Sequence, residues 1–116
     1  MYDENNIFAK ILRGEIPSDV VYEDKYFLFI NDINPQAKIH ILGIPRIKVL
    51  DFGDFILKAK PKLVKDFFSK AYDIIKEKKI NRSGYKIITN SGVDGGQEVP
   101  HFHIHILGGE RLNLKI

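Results

Sequence analysis

Residues 101–107 read HFHIHIL and hold three of the four histidines in the chain. Imidazole is the one side chain whose ordinary pKa lies near neutrality, so it serves as nucleophile, proton carrier or metal ligand. On an extended strand alternate side chains share a face, which sends His101, His103 and His105 one way and Phe102, Ile104 and Ile106 the other. The apolar half can fill a core. The histidine half must meet polar partners, because an unpartnered buried imidazole costs roughly 1–3 kcal/mol.

Three chemistries fit the spacing. The plainest is a half-exposed strand that uses His as a generic polar residue, which strict alternation of three histidines disfavours. The second is a metal site, since a His-x-His pair on a strand can bind zinc with a third ligand from elsewhere. His101 and His105 lie about 13 Å apart along an extended strand, so only a pair joined by His40 would serve. The third is a row of neutral imidazoles facing a phosphate ester or anhydride, one attacking phosphorus while its neighbours hold oxygens and move protons. Crowding makes protonating all of them costly, which keeps a nucleophilic imidazole available. Just upstream, SGVDGGQEVP supplies Gly92, Gly95 and Gly96, which let backbone amides approach an anion closely.

The elements that would position these residues follow from periodicity and turn chemistry. ENNIFAKILRGEIP predicts a short helix with Ile7, Phe8, Ile11 and Leu12 on one side, ended by Gly14 and Pro17. VVYEDKYFLFIND predicts two strands around a turn at Glu23 and Asp24, and INPQA another turn before a strand in KIHILGIPR. From Pro61 to Lys79, Leu63, Val64, Phe67, Phe68, Ala71, Tyr72, Ile74 and Ile75 recur at helical spacing, with Lys76, Lys78 and Lys79 suited to the C-terminal dipole. GYKIITN and HFHIHILGG predict the last two strands. Strands in succession with helices beside them give an α+β domain with an antiparallel sheet.

Composition narrows the classes. A chain of 116 residues, 44% hydrophobic with eight Phe and five Tyr, suits a single domain over residues 1–116 that folds without staples. The absence of Cys excludes disulfides and a thiol nucleophile. Neither a basic, apolar leader nor a run of about 18 apolar residues is present, so a soluble, cytoplasmic protein without a cleaved signal is expected. Lys and Arg total 18 against 15 Asp and Glu, and the excess sits in KAKPKLVK and KEKK, which read as solvated helix faces. No nucleic-acid or membrane partner is therefore expected, while the net charge of +3 suits an anionic small substrate.

The pattern His101-Phe102-His103-Ile104-His105-Ile106-Leu107 resembles the signature of the histidine triad proteins. The likeness spans nearly the whole chain: IFAKILRGEIPSDVVYED is similar to that family's opening segment, NDINPQAKIHILGIPR to its second block, and NSGVDGGQEVPHFHIHILGG to its signature. Together they resemble most the Hint branch, the purine nucleoside phosphoramidate hydrolases. The resemblance implies a five-stranded antiparallel sheet with one main helix and a short N-terminal helix, in a homodimer that joins two sheets. It implies hydrolysis of purine nucleoside 5′-phosphoramidates and related mixed anhydrides, with no cofactor or metal, through a nucleotidyl-histidine on His103. His101, His105 and His40 would complete the catalytic set, His105 on the phosphate and His40 and His101 supporting proton movement and ring orientation. Asp32 matches a ribose-hydroxyl acceptor, with Ile33 beside it; Ile7, Phe8, Ile11 and Ile30 match the wall around the base. Asn90, Gly96, Gln97, Glu98 and Val99 match positions on the phosphate side.

Three departures stand out. Glu98 occupies a position where animal relatives carry a serine that helps the leaving group, and a carboxylate there would repel phosphate. Lys48 replaces a common histidine, without a clear chemical consequence. The chain has no Trp, so the aromatic C-terminal tail of some relatives is missing and selectivity should differ. A neighbouring branch, the dinucleoside polyphosphate hydrolases, is the alternative, as is a nucleotide-binding module; GGQEVPH favours the Hint branch over the first, and an intact His103 counts against the second.

Overall fold

Asp24 shows how local chemistry starts the sheet. Its Oδ1 accepts from the amides of Tyr26 and Phe27 at 2.7 and 2.8 Å, closing the turn between β1 (Val20–Glu23) and β2 (Phe27–Asn31). The computed structural model describes residues 1–113. After β2 come β3 (Ile39–Pro45), helices α2 (Phe52–Lys58) and α3 (Pro61–Glu77), then β4 (Tyr85–Ile88) and β5 (Ile104–Gly108); α1 (Ile7–Leu12) precedes them all. The strands form one antiparallel five-stranded sheet in the order β1-β2-β3-β5-β4.

Period-two alternation divides the side chains between the two faces of this sheet. On one face Phe27, Phe29, Ile41, Ile104 and Ile106 pack with Phe55 of α2 and Phe67, Ala71, Ile74 and Ile75 of α3. Phe102 joins them, its ring stacked on Phe55 at 4.7 Å between centroids. On the other face Leu28, Ile30, Leu42 and Ile44 meet Phe8 of α1. Gly43 makes the first core possible, because a Cβ there would stand 2.5 Å from Cε2 of Phe29.

The sheet and the two expected helices match the sequence reading, with local differences. Helix α3 stops at Glu77 rather than Lys79, because Lys79 adopts a left-handed backbone (φ 63°). Tyr72 is half exposed beside Lys76 instead of sharing the buried face. Helix α2 is an addition: with seven residues it shows barely two turns of periodicity, and Gly53 reads as a breaker, yet Asp51 caps it by accepting from the Asp54 amide at 2.9 Å. The last strand begins at Ile104, three residues later than expected. Pro45 explains the early end of the β3–β5 ladder, whose final pair is Gly43 with Ile104: having no N–H, Pro45 cannot extend it. The C-terminal tail expectation falls partly on residues 114–116, outside the described residues. No helix among the described residues is long and apolar enough to cross a membrane.

Candidate active site

A cavity of about 1000 Å³ lies between α1, the ends of β2 and β3, the glycine-rich loop and the histidine segment. Phe8, Ile11, Ile30 and Val99 form its apolar wall, with Ile7 at the edge; Asp32 and Ile33 stand where β2 ends, and His40, His103 and His105 line it in the middle. Asn90, Gly96 and Glu98 contribute from the loop. Ile33 is 98% exposed and touches no core, unlike Ile30 in the same wall.

Two expected residues do not reach the cavity. His101 is 0% exposed and is held behind it by Tyr2 and Pro45. Gln97 turns its side chain into the protein: Nε2 donates to the carbonyls of Leu50 (2.7 Å) and Val99 (3.0 Å), and Oε1 accepts from the Gly92 amide at 2.9 Å. It clamps the loop from within. The expected amide cradle is also largely spent, since the Gly92 amide serves Gln97 and the Gly96 amide donates to Val93 O at 3.0 Å. Gly96 instead supplies a left-handed turn (φ 75°) that Asn90 ties down by donating to the Gly95 carbonyl at 2.8 Å.

The proton positions of the histidines follow from partners that can only donate or only accept. His103 Nδ1 lies 2.8 Å from the carbonyl of His101, so Nδ1 carries the hydrogen and Nε2 keeps its lone pair. No buried side-chain nitrogen or oxygen among the described residues lacks a partner, so the unbonded Nε2 opens to the cavity. For His40 the Gln36 amide donates to Nδ1 at 3.0 Å, which puts the hydrogen on Nε2. That Nε2–H faces His105 Nδ1 at 2.9 Å and Asp32 Oδ2 at 3.3 Å. His105 Nδ1 is then an acceptor and its Nε2–H a donor open to the cavity. One bare nitrogen and one N–H therefore sit side by side, on rings whose centroids are 5.1 Å apart.

Electrostatics keeps these rings neutral. Burial pushes the pKa of His40, His101 and His103 below the ordinary 6.5, opposed for His40 and His103 by the charge of Asp32. His105 is lowered to about 4, by burial first and then by His103 and His40 beside it. Packing fixes the nucleophile candidate from three further sides. Phe8 meets the His103 ring edge-on at 4.7 Å, Thr89 Oγ1 donates to the His103 carbonyl at 2.7 Å, and the Phe102 amide donates to Val49 O at 2.9 Å.

Asp32, His40 and His105 also bring one ligand atom each within 4.8 Å of one another, a donor set that a divalent ion such as zinc accepts. Those same atoms already satisfy each other as hydrogen-bond partners, so an ion would have to displace the network. Sequence reasoning missed Tyr2, as well as Asp19, Gln36 and Leu42 of the cavity lining. For Gln36 the signal was its place in the turn before His40. Tyr2, 99 residues from His101, left no local signal.

An α+β sheet presenting alternating, neutral histidines to a cavity defines a class of small proteins built around a histidine triad. The HIT domain model matches residues 13–112, and the chain belongs to that family. It is 46% identical over 112 residues to an uncharacterized HIT-like protein of Rickettsia prowazekii, covering 97% of this chain and 93% of the other. Similarity to the purine nucleoside phosphoramidase of Escherichia coli is 42% identity over 109 residues, 94% of this chain and 91% of that protein. Among solved structures, a histidine triad protein from Clostridium difficile aligns over 100% of both chains at 41% identity with a TM-score of 0.88.

Proposed function

We propose that the protein hydrolyses purine nucleoside 5′-phosphoramidates and related mixed anhydrides to the nucleoside monophosphate, by way of a nucleotidyl-histidine on His103. The observation that carries this reading is the bare Nε2 of His103, held open to the cavity next to the N–H of His105. His103 Nε2 attacks phosphorus and forms a P–N bond as the bond to the leaving amine breaks. The leaving amine takes its proton from solvent, while His105 Nε2–H donates to phosphate oxygen and steadies the charge that develops there. Water then attacks phosphorus and releases its proton to solvent; the P–N bond to His103 breaks, and the ring recovers its lone pair. Asp32 accepts from ribose hydroxyls while balancing His40, and the wall of Phe8, Ile11 and Ile30 takes the base. The family and the phosphoramidase relative support the same chemistry.

The charge of the cavity favours a single phosphoryl group over a polyphosphate. Among the described residues its charged lining side chains are carboxylates, Asp19, Asp32 and Glu98, with no Lys or Arg. A dinucleoside polyphosphate would bring several negative charges without a countercharge. A homodimer is part of the same proposal: among the described residues β4 pairs only with β5, so no described strand covers its other edge, and Tyr85 and Ile87 of this strand are 37% and 44% exposed.

The test is a steady-state assay with a fluorogenic adenosine 5′-phosphoramidate in the presence of EDTA. Wild type turns over, while His103→Ala loses turnover and still binds AMP. Near-normal hydrolysis by the variant would sink the mechanism. Loss of wild-type activity in EDTA with rescue by zinc would replace it with metal chemistry at Asp32, His40 and His105.

A further inference from the structure

The imidazole of His101 is sealed from solvent at 0% exposure and does not reach the cavity, yet both its nitrogens are engaged. Nε2 lies 2.7 Å from the carbonyl of Pro45 and must donate to it, so Nδ1 is an acceptor. The donor it receives is the hydroxyl of Tyr2 at 2.5 Å, with the two rings edge-on at 5.5 Å. The backbone carbonyl of this same His101 accepts from Nδ1 of His103. A continuous chain of contacts therefore runs from the N-terminal arm to the one ring nitrogen that must stay protonated for the cavity-facing nitrogen to stay bare.

Tyr2 is itself held in place. The carbonyl of the next residue, Asp3, accepts from the backbone and side-chain amides of Asn6 at 3.1 and 2.7 Å, and Asn6 caps α1 by accepting from the Ala9 amide at 2.8 Å. The same short helix places Phe8 against the His103 ring. One end of the arm thus packs on the nucleophile candidate while the other fixes the residue behind it.

Resting on the reading of His103 as nucleophile, we infer that Tyr2 is a positioning residue for it. The Tyr2 hydroxyl pins the His101 ring, the pinned ring and Pro45 hold the His101 peptide, and that peptide's carbonyl fixes the tautomer and aim of His103. Removing the hydroxyl leaves Nδ1 of a buried imidazole without a donor. The His101 peptide then relaxes, and His103 loses part of its alignment rather than its access to substrate.

Tyr2→Phe removes the hydroxyl and keeps the ring. The expected result is a roughly tenfold fall in kcat for the phosphoramidate with KM and AMP affinity within about twofold of wild type. A second readout does not depend on turnover: long-range proton–nitrogen spectra of the imidazoles should show His101 Nδ1 moving towards a free lone pair and His103 Nδ1–H shifting with it. Lys48→Ala, which breaks the 2.7 Å ion pair from Lys48 to Glu4 at the surface of the same arm, is the control and should alter neither. A Tyr2→Phe kcat within twofold of wild type, or a fall that Lys48→Ala reproduces, overturns the inference. His103 resonances unmoved in Tyr2→Phe overturn it too, even if the wild type hydrolyses no phosphoramidate, an outcome that would itself count against the proposed reaction alone.

Discussion

In the proposed reaction His103 is the residue on which the chemistry turns, and its protonation state sets a pH dependence. Burial lowers its pKa from 6.5, so the bare Nε2 persists on the acid side of the ordinary histidine range. The acidic limb of kcat/KM should therefore fall below pH 6.5, and a pH–rate profile that breaks at or above that value would contradict the neutral, buried nucleophile. Asp32 acts in the opposite sense, favouring the charged forms of His40 and His103. Asp32→Asn should accordingly move the limb to still lower pH while raising KM, because the proposed ribose acceptor is weakened as well. A limb that moves up instead would mean that Asp32 does not govern these rings.

At the scale of elements, the junction of β3 with β5 decides how far the histidines are presented. Gly43 closes the ladder opposite Ile104 and leaves room for Phe29, while Pro45 ends the pairing and offers its carbonyl to His101. Gly43→Ala should destabilise the protein by about 1–3 kcal/mol, since the new methyl group would overlap the Phe29 ring. Chemical denaturation checks this, and an unchanged midpoint would mean that the core behind the site yields more readily than its packing indicates. Helix α2 and the loop act together here. Gln97 reaches from the loop to the carbonyl of Leu50, beside the cap of α2, so the loop wall of the cavity is tied to the segment that starts that helix.

For the whole molecule, four histidines with lowered pKa link folding to pH. Each binds a proton in the unfolded chain near 6.5 but resists it when folded, so stability is full above that value and declines as pH falls through the window down to about 4, where His105 protonates. Thermal unfolding followed from pH 7 to pH 4 should show a falling Tm, and a combined His101→Asn, His105→Asn variant should flatten the slope. The edge of β4 that no described strand covers gives a second whole-molecule expectation for the proposed dimer: light scattering should report twice 13.4 kDa, and Ile87→Asp should shift the protein towards monomer. A wild type that scatters as 13.4 kDa would remove the dimer from the proposal. Much of this architecture was legible in the chain. The alternation around Phe102, Ile104 and Ile106, the amphipathic run after Pro61 and the Asp24 turn are local patterns, and local patterns determine strands, helices and the family signature without reference to distant residues. The resemblance to the histidine triad family, and not the patterns themselves, named the cavity residues of α1 and the end of β2. What sequence could not decide was which donors meet which acceptors across long separations. Only the tertiary fold brought Tyr2 to His101, turned Gln97 inward, spent the loop amides on the loop itself and set His40 against His105. Those pairings depend on three-dimensional proximity, and they alone determine which nitrogen of each imidazole carries its proton.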